Sequence, residues 1–222
     1  VLPGVTDASS HANLLNHDGD WLNGEATDAY PGSFALIAQP VAWDAYPFVE
    51  DFEDGSIGAL GAYWGFETTG SGVAEVTPDN NPRGTYHLKL SQKDSSSGTA
   101  AAILHLDLLN GLTPATGVTV DFWQKSAGST DYQSGRVYIR ANESTAWRQI
   151  PGSTYLSEPA EYAQGQGYYT IDLDAEMQKA GWSYTDDFQV KFEHFGIYGT
   201  SQAYYLDDIR VMRTGEDLFG PR

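Results

Sequence analysis

Short runs of alternating apolar and polar residues recur along the chain between clusters of Gly, Ser, Asn, Asp and Pro. This period of two is typical of strands that turn one face to a core and the other to solvent. In the run VTVDFW, Val118, Val120 and Phe122 fall on one face. The predicted strands are residues 72–76, 85–90, 100–108, 118–125, 136–141, 168–173, 188–195 and 203–212. The pattern predicts an all-β fold.

The helical signal is confined to residues 174–180, where Ala, Glu, Met, Gln and Lys precede Gly181. These are good helix formers, and glycine commonly ends a helix. We therefore expect one or two helical turns within a connection between strands.

The first 46 residues differ from the rest, because they are polar and turn-rich with one clear strand candidate, SFALIA at 33–38. Pro40 and Pro47 mark a boundary, since proline cannot donate to a central strand ladder. We expect residues 1–46 to be an N-terminal extension that serves as an assembly strand or docking arm. Residues 47–214 then form the sandwich, and residues 215–222 form a C-terminal tail.

The balance of charge constrains the partners. Among 222 residues, 12 are Lys or Arg and 30 are Asp or Glu, which gives a net charge of -18. Such a surface repels nucleic acid and anionic membranes at long range, so cations are the natural partners. We expect no nucleic-acid binding and no membrane insertion, since no apolar run approaches the roughly 20 residues of a membrane-spanning helix.

The cellular location is inferred from composition. The chain has no cysteine, so disulfides, thiol nucleophiles and thiolate metal sites are excluded. Val1 is not an initiator methionine, which indicates a processed secreted chain or an excised module. The low lysine content with abundant Asp, Gly, Ser, Thr and Tyr suits a secreted protein. The sequon at Asn142 is compatible with an exposed surface. We expect an extracellular or cell-surface protein.

Two acidic strings lie near the ends of the predicted sandwich, FVEDFEDG at 48–55 and YYLDDIRV at 204–211. If the first and last strands are neighbours, their carboxylates can share one hard cation. The candidate metal ligands are Asp51, Glu53, Asp207 and Asp208. Oxygen ligands at strand ends favour Ca²⁺ over the strictly octahedral Mg²⁺, so a structural calcium ion is predicted.

The alternative is that no metal is present. Asp207 alternates with Ile209 and Val211, which places it on the predicted core side, where an uncompensated carboxylate is costly. Arg210 or a backbone amide could then supply its partner. A second candidate loop, Asn16 to Asp20, has the N-x-D-x-D spacing, but Trp21 stands where an EF-hand needs glycine, and a polar turn is favoured.

Aromatic residues are the remaining resource for binding, because flat rings supply a large contact area at small entropic cost. Trp123 and Tyr138 lie on the predicted outward side of their strands, with Arg140, Lys191 and Glu193 as polar neighbours. If the two strands are adjacent, these residues form a ligand-binding patch on a sheet face. The alternative is that a loop or the extension covers the rings.

Several of these motifs, taken in order, resemble those of MAM-type domains and related bacterial jelly-roll modules. They are the string at 48–55, Trp64, GTYHLKL at 84–90, the alanine run before Leu104, VDFW at 120–123, FQVKFE at 188–193 and LDDIRV at 206–211. The resemblance implies a jelly-roll β-sandwich of two antiparallel sheets over about residues 48–212. It also implies main-chain carbonyls near residues 84–86 as further metal ligands. Vertebrate MAM domains carry disulfides, so the absence of cysteine favours the bacterial type, whose role is non-catalytic.

Three functions follow as hypotheses. The first is a non-catalytic, calcium-stabilised extracellular module for adhesion or for binding a glycan or protein. The second is a structural subunit of an extracellular filament or surface assembly, in which the extension contacts a neighbouring subunit. The third, a glycan-cleaving enzyme, has little support, since G-x-S-x-G, H-E-x-x-H and phosphate-binding glycine loops are all missing. We therefore expect no enzyme activity and no catalytic residues.

Overall fold

The computed structural model describes residues 40–78, 83–110, 116–127, 135–150, 166–196 and 203–213. The chain divides into two compact units, Val1–Ala38 and Gln39–Arg222, and the described residues belong to the second. The strand predicted at 33–38, the loop at 16–20 and the C-terminal tail lie outside the described residues. The boundary between the units precedes the predicted one at residue 46.

Residues 40–46 belong to the same unit as the sandwich, not to the extension. The Trp43 amide donates to the His105 carbonyl at 2.9 Å, and the Asp107 amide donates to the Trp43 carbonyl at 2.8 Å. The Trp43 ring also meets the Tyr63 ring edge-on, with 4.7 Å between centroids. Main-chain pairing and ring packing therefore hold this segment.

Within the described ranges the chain forms eleven strands and one α-helix. These are β1 (Phe48–Glu50), β2 (Trp64–Gly70), β3 (Gly72–Thr77), β4 (His87–Gln92), β5 (Gly98–Leu106), β6 (Val118–Ala127), β7 (Gly135–Arg140), β8 (Arg148–Gln149), β9 (Gln166–Asp172), α1 (Leu173–Ala180), β10 (Phe188–Gly196) and β11 (Ala203–Arg213). All eight predicted strands and the helix are confirmed. β2 and β8 were not predicted, since β2 has four exposed residues at its end and β8 has only two residues.

The described strands form two antiparallel sheets, so the chain is an all-β jelly-roll sandwich. The six-stranded sheet has the order β3-β4-β11-β6-β9, with β1 also paired to β11, and the five-stranded sheet has the order β2-β5-β10-β7-β8. Consecutive strands such as β6 and β7 lie in different sheets. The inward side chains of both sheets meet in one buried cluster that includes Leu88, Val120, Phe122, Val190 and Phe192.

Both ends of the helix follow from its sequence. The Asp172 side chain accepts a hydrogen bond from the Ala175 amide at 2.9 Å, which caps the N-terminus. Gly181 has φ +68° and ends the helix in the left-handed conformation. Leu173 and Met177 face the core, and they anchor the helix to the sandwich.

Candidate functional site

An acidic pocket lies where three strands of the six-stranded sheet meet. β11 pairs with β4 through Ala203 to Leu206, and with β1 through Ile209 to Val211. The ends of β1 and β4 therefore meet beside the middle of β11. The pocket has a volume of about 320 Å³ and is lined by Asp51, Glu53, Arg83, Gly84, Asp207 and Asp208. The structure thus brings together all four predicted metal ligands.

The backbone around the acidic pocket is locally irregular. Between Asp207 and Arg210 the register of β11 against β6 shifts by one residue, which is a β-bulge. Asp208, in the bulge, has φ +48°, and Phe52, which follows β1, has φ +57°. Across the described ranges these are the non-glycine residues with positive φ. Backbone strain of this kind is concentrated at functional sites.

Glu53 is held by the loop that precedes β4. Its Oε1 accepts hydrogen bonds from the amides of Thr85 at 2.6 Å and Tyr86 at 3.1 Å, and these bonds lower the pKa of Glu53. Gly84 has φ +52°, and a Cβ atom there would lie 2.0 Å from the same oxygen, so a side chain at this position would be strained and would displace the carboxylate. The loop at 84–86 was expected to offer carbonyl groups, but here it presents amides to the carboxylate.

Asp207 is buried, with 2% of its surface exposed. Its Oδ1 accepts a hydrogen bond from the Asp208 amide at 2.8 Å, whereas the buried Oδ2 has no hydrogen-bond partner among the described residues. Burial raises the pKa of Asp207 to about 8. A buried carboxylate oxygen without a partner in an acidic pocket can bind a cation or a proton.

The face on which Asp207 lies differs from the prediction. Asp207 pairs with Trp123, and directly opposite residues of an antiparallel pair share a face, so Asp207 points away from the inter-sheet core. Alternation with Ile209 and Val211 predicted the core side. The bulge inserts one residue between Asp207 and Ile209 and reverses the phase.

Asp208 is neutralised within the described structure. The Arg83 guanidinium donates to Asp208 Oδ2 from Nε at 3.2 Å and from Nη2 at 3.0 Å. The Tyr168 hydroxyl also donates to this carboxylate, and burial together with Asp208 raises the pKa of Tyr168 to about 12. Arg210 Nη2 approaches Asp208 Oδ1 at 3.9 Å.

The donor set of the acidic pocket fits calcium in chemistry, since it consists of oxygen atoms and includes the orphaned Oδ2 of Asp207. However, no group of three His, Asp or Glu side chains stands at metal-binding spacing within the described residues. Arg83 provides the positive charge next to Asp208. Calcium would bind through Asp51, Glu53, Asp207 and Asp208 in competition with this arginine.

Glu50 is a further acid of the first string, and the sequence did not single it out. Its Oε1 accepts from the Phe52 amide at 3.1 Å, and its Oε2 accepts from Trp64 Nε1 at 3.3 Å and from the Tyr63 hydroxyl at 3.4 Å. Burial raises the pKa of Glu50. This carboxylate ties β1 to β2 and does not line the acidic pocket.

The predicted patch of Trp123 with Tyr138 does not exist, because β6 and β7 lie in different sheets. Trp123 is on the outward side of the six-stranded sheet, as expected, but it is only 5% exposed and packs with Tyr205 and Tyr168. The jelly-roll connection separates strands that are consecutive in sequence.

The other three predicted ligand-binding residues do come together on the outer face of the five-stranded sheet. Lys191 of β10 lies directly opposite Tyr138 of β7, and Arg140 of β7 lies opposite Gln189 of β10. Lys191 Nζ lies 4.6 Å from the centre of the Tyr138 ring and 4.8 Å from that of the Trp147 ring. The Arg140 guanidinium lies 4.3 Å from the Trp147 ring. We call Tyr138, Arg140, Trp147 and Lys191 the aromatic–cation patch.

The patch is held in place by hydrogen bonds. Glu193 accepts from the Tyr138 hydroxyl at 3.2 Å and from Lys191 Nζ at 2.9 Å. Lys191 is 8% exposed, whereas both rings are partly exposed, so the ammonium group lies beneath the aromatic surface. Burial raises the pKa of Tyr138, which keeps its hydroxyl protonated as a donor.

Trp147 is the patch residue that sequence reasoning missed. It follows an Asx turn in which Asn142 Oδ1 accepts from the Ser144 amide at 3.0 Å, and the Asn142 carbonyl accepts from the Thr145 amide at 3.0 Å. After this turn, the chain runs antiparallel to β7 and pairs with it as β8. An Asn-x-Ser-Thr turn after a strand is a hairpin signal that could have placed Trp147 beside Arg140.

No family model matches the chain, and no curated protein shows significant sequence similarity to it. Similar solved structures include a carbohydrate-binding module of the β-sandwich superfamily, with 17% identity and a TM-score of 0.47 over 78% of this chain and 63% of that one. A family 11 carbohydrate-binding module from Clostridium thermocellum has 11% identity and a TM-score of 0.44 over 75% and 95%. A glycoside hydrolase domain from Streptococcus pneumoniae R6 has 15% identity and a TM-score of 0.46 over 79% and 28%.

The chain spans less than two thirds of the length of two of these three structures. The MAM-type resemblance stays a prediction. The helix within the described ranges is too short and too polar to cross a bilayer.

Proposed function

We propose that this protein is a non-catalytic glycan-binding module, and that sugars bind at the aromatic–cation patch on the five-stranded sheet. The observation that carries this proposal is the placement of two partly exposed rings, Tyr138 and Trp147, above Lys191 on one rigid sheet face. Sugars present flat C–H faces to aromatic rings and hydroxyl groups to charged donors and acceptors. Tyr138 lies on β7, and Trp147 packs against Arg140 and Lys191, so both rings are held before binding and lose little entropy.

The accessible part of the outer face lies at β7 and β8. On β5, beside Lys191, Ala101 and Ile103 are only 3% and 4% exposed. A polysaccharide chain would therefore lie along β7 and β8, where Tyr138 and Trp147 are partly exposed.

The test is binding to a panel of soluble polysaccharides by affinity electrophoresis, followed by calorimetry on any that bind. Trp147→Ala should weaken binding at least about tenfold, the size expected for a binding hot spot. Trp147→Phe should retain part of the affinity, since it keeps a ring. Glu143→Ala, an exposed change in the same turn, is the control and should bind as the parent does.

A second variant tests which of the two sheet faces binds the ligand. Trp123→Ala removes a buried ring from the opposite face, so it should lower the melting temperature without changing the affinity of the folded fraction. Equal binding by Trp147→Ala and the parent to every retained polysaccharide would contradict the proposal.

We also propose that the acidic pocket holds a structural calcium ion. The support is the orphaned Oδ2 of Asp207 together with Asp51, Glu53 and Asp208 in one pocket. Calcium should raise the melting temperature, and a chelator should reverse the change. Asp207→Asn should abolish this shift, and Asp54→Asn, an exposed acid that does not line the pocket, should keep it. An unchanged melting temperature with and without calcium would refute the site.

We place this activity outside the cell or on its surface, in adhesion or glycan attachment, and the support is compositional. Residues 33–38, the segment predicted to join a neighbouring subunit, lie outside the described residues. Self-assembly through the extension is therefore retained as a prediction. Comparing the oligomer size of the full chain with that of a chain lacking residues 1–38 tests it.

A further inference from the structure

We infer that the aromatic–cation patch, extended by Arg136 and Phe195, selects glycans that carry negatively charged groups. Arg136 and Arg140 are the residues that would recognise these groups. The inference rests on the proposed glycan-binding function and names the class of ligand. The shared chemistry is an oxyanion, either a carboxylate or a sulfate, on successive sugars.

Arg136 and Arg140 differ from most other basic residues in their ion pairing. The protein has 30 acidic and 12 basic residues, so a basic side chain has carboxylates available as partners. The described ion pairs indeed include most of the other basic residues. They are Arg83 with Asp208, Lys89 with Glu75, Arg148 with Glu176, Lys179 with Glu176, Lys191 with Glu193 and Arg210 with Asp208. In the described structure, neither Arg136 nor Arg140 has a carboxylate within 4.0 Å.

Both guanidinium groups stack on aromatic rings. That of Arg140 lies 4.3 Å from the centre of the Trp147 ring, and that of Arg136 lies 4.6 Å from the centre of the Phe195 ring. A guanidinium stacked on a ring uses its flat face and keeps N–H groups along its edge. Arg136 uses part of this edge in a side-chain hydrogen bond with Tyr138. That edge matches the two oxygens of a carboxylate or a sulfate.

The orientation of Arg140 is fixed by a chain of hydrogen bonds across the sheet. Arg140 Nε donates to Gln189 Oε1 at 2.8 Å, and Gln189 Nε2 donates to Asp187 Oδ2 at 2.7 Å. Asp187 Oδ1 in turn lies 2.7 Å from His105 Nδ1. Because Nε is used in this chain, the two terminal nitrogens of Arg140 are left for a ligand. A donor that is fixed before binding loses less entropy when an anion arrives.

The two arginines lie on either side of Tyr138 along one strand. Arg136, Tyr138 and Arg140 alternate along β7, so they share the outer face. Four residues of strand place the two arginines about 13 Å apart, with the tyrosine between them. A sugar seated at Tyr138 would thus have a cation on each side along the strand. This two-point arrangement suits a polymer whose charged groups recur along its length.

The acids on the same face do not cancel the two arginines. Glu193 lies directly opposite Arg136 in the β7–β10 pair, but its carboxylate oxygens accept hydrogen bonds from Tyr138 and Lys191. Asp187 is held by Gln189 and His105. Glu67 is exposed on β2, which is separated from β10 by β5. Local attraction at Arg136 and Arg140 can therefore act at contact distance, where screening by salt is weak.

The test uses two matched pairs of polymers, each with the same sugar backbone. Polygalacturonate is compared with its methyl-esterified form, and dextran sulfate is compared with dextran. We expect at least one acidic polymer to bind about tenfold or more tightly than its neutral partner at the same concentration of sodium chloride. The carboxylate and sulfate arms then identify the anion.

The variants assign the preference to residues. The double change Arg136→Ala with Arg140→Ala should remove the preference for the acidic polymer over its neutral partner. Arg140→Lys keeps the charge but loses the planar edge, so it should reduce this preference. Lys93→Ala with Lys179→Ala removes two exposed charges elsewhere and should leave the preference unchanged. Melting curves check that each variant is folded.

The possible failures are distinguishable. If neutral polymers bind as well as acidic ones and Trp147→Ala abolishes binding, the glycan-binding function holds and the anion preference is overturned. The preference is also overturned if the double arginine variant keeps it. If none of the four polymers, nor any member of the wider panel, binds the parent protein, the proposed function fails as well.

Discussion

Arg83 is the positive charge that accompanies the acidic pocket. Its guanidinium pairs with Asp208 at 3.0 Å, and its side chain is 44% exposed. An ion pair with this exposure contributes at most about 1 kcal/mol, because water screens it and its long side chain must be ordered. Arg83 can therefore be displaced by a divalent ion, and it should act as a weak internal competitor for calcium.

Replacing Arg83 with alanine should tighten calcium binding by up to about fivefold, the factor that corresponds to about 1 kcal/mol. Isothermal titration with calcium measures the change. Lys93→Ala removes the same charge from a distant exposed loop, and it corrects for the long-range effect of net charge. Unchanged or weaker calcium binding by Arg83→Ala would show that the arginine supports the site instead of competing for it.

His194 makes folding sensitive to acid. It is fully buried on β10, and both ring nitrogens lack a hydrogen-bond partner among the described residues. Burial disfavours the charged imidazolium and lowers the pKa of His194 to about 4. The unfolded chain, with a histidine pKa of about 6.5, therefore binds more protons between about pH 6.5 and pH 4 than the folded chain does.

Stability should fall as the pH drops through this window, by roughly 3 kcal/mol for His194 at pH 4. Urea unfolding at a series of pH values measures the slope. His194→Leu should flatten the curve between pH 6.5 and pH 4. Parallel curves for the parent and His194→Leu would contradict this assignment.

At the scale of elements, the bulge in β11 has the largest consequence for the site. Tyr204 and Leu206 point into the core before it, and Ile209 and Val211 do so after it. In a strand without a bulge, one residue would separate each core-facing side chain from the next. Here two residues, Asp207 and Asp208, lie between Leu206 and Ile209. Both pairs of side chains still face the core, and the two aspartates line the acidic pocket.

Deletion of Asp208 should thus leave a folded protein that no longer responds to calcium. Far-ultraviolet circular dichroism and a cooperative melt would report the fold, and the loss of the calcium-induced rise in melting temperature would report the site. Deletion of Asp121 from β6 is the matched control, since it moves Val118 and Val120 to the wrong face and should abolish the cooperative transition. A calcium response that persists without Asp208 would locate the ion elsewhere.

At the scale of the whole molecule, net charge opposes folding. A formal charge of -18 on 222 residues produces self-repulsion that is stronger in the compact state. Raising sodium chloride from about 10 mM to about 0.5 M screens this repulsion, because the Debye length falls from roughly 30 Å to about 4 Å. The melting temperature should rise with salt, and the rise should be larger in chelator than in calcium. A melting temperature that falls with salt would mean that specific ion pairs outweigh the net repulsion.

The sequence determined the strands, the sheet faces and much of the acidic pocket. Alternation is a local property, so the faces of β6, β7 and β10 could be assigned from Val118, Tyr138 and Lys191 without knowledge of their partners. The two acidic strings could be predicted to lie close together, because the first and last strands of a jelly-roll sandwich are neighbours. Arg83 escaped notice because Asp208 is distant in sequence. Glu50 escaped notice because its partners Tyr63 and Trp64 lie at the start of β2, a strand that was not predicted.

Tertiary structure alone decided the rest. The separation of Trp123 from Tyr138 depends on which sheet each strand enters, and the face of Asp207 depends on a one-residue bulge that alternation cannot reveal. The aromatic–cation patch needs β8 to bring Trp147 beside Arg140 and β10 to bring Lys191 beneath it. Local sequence fixes the direction of a side chain on its own strand, but only the pairing of strands fixes its neighbours.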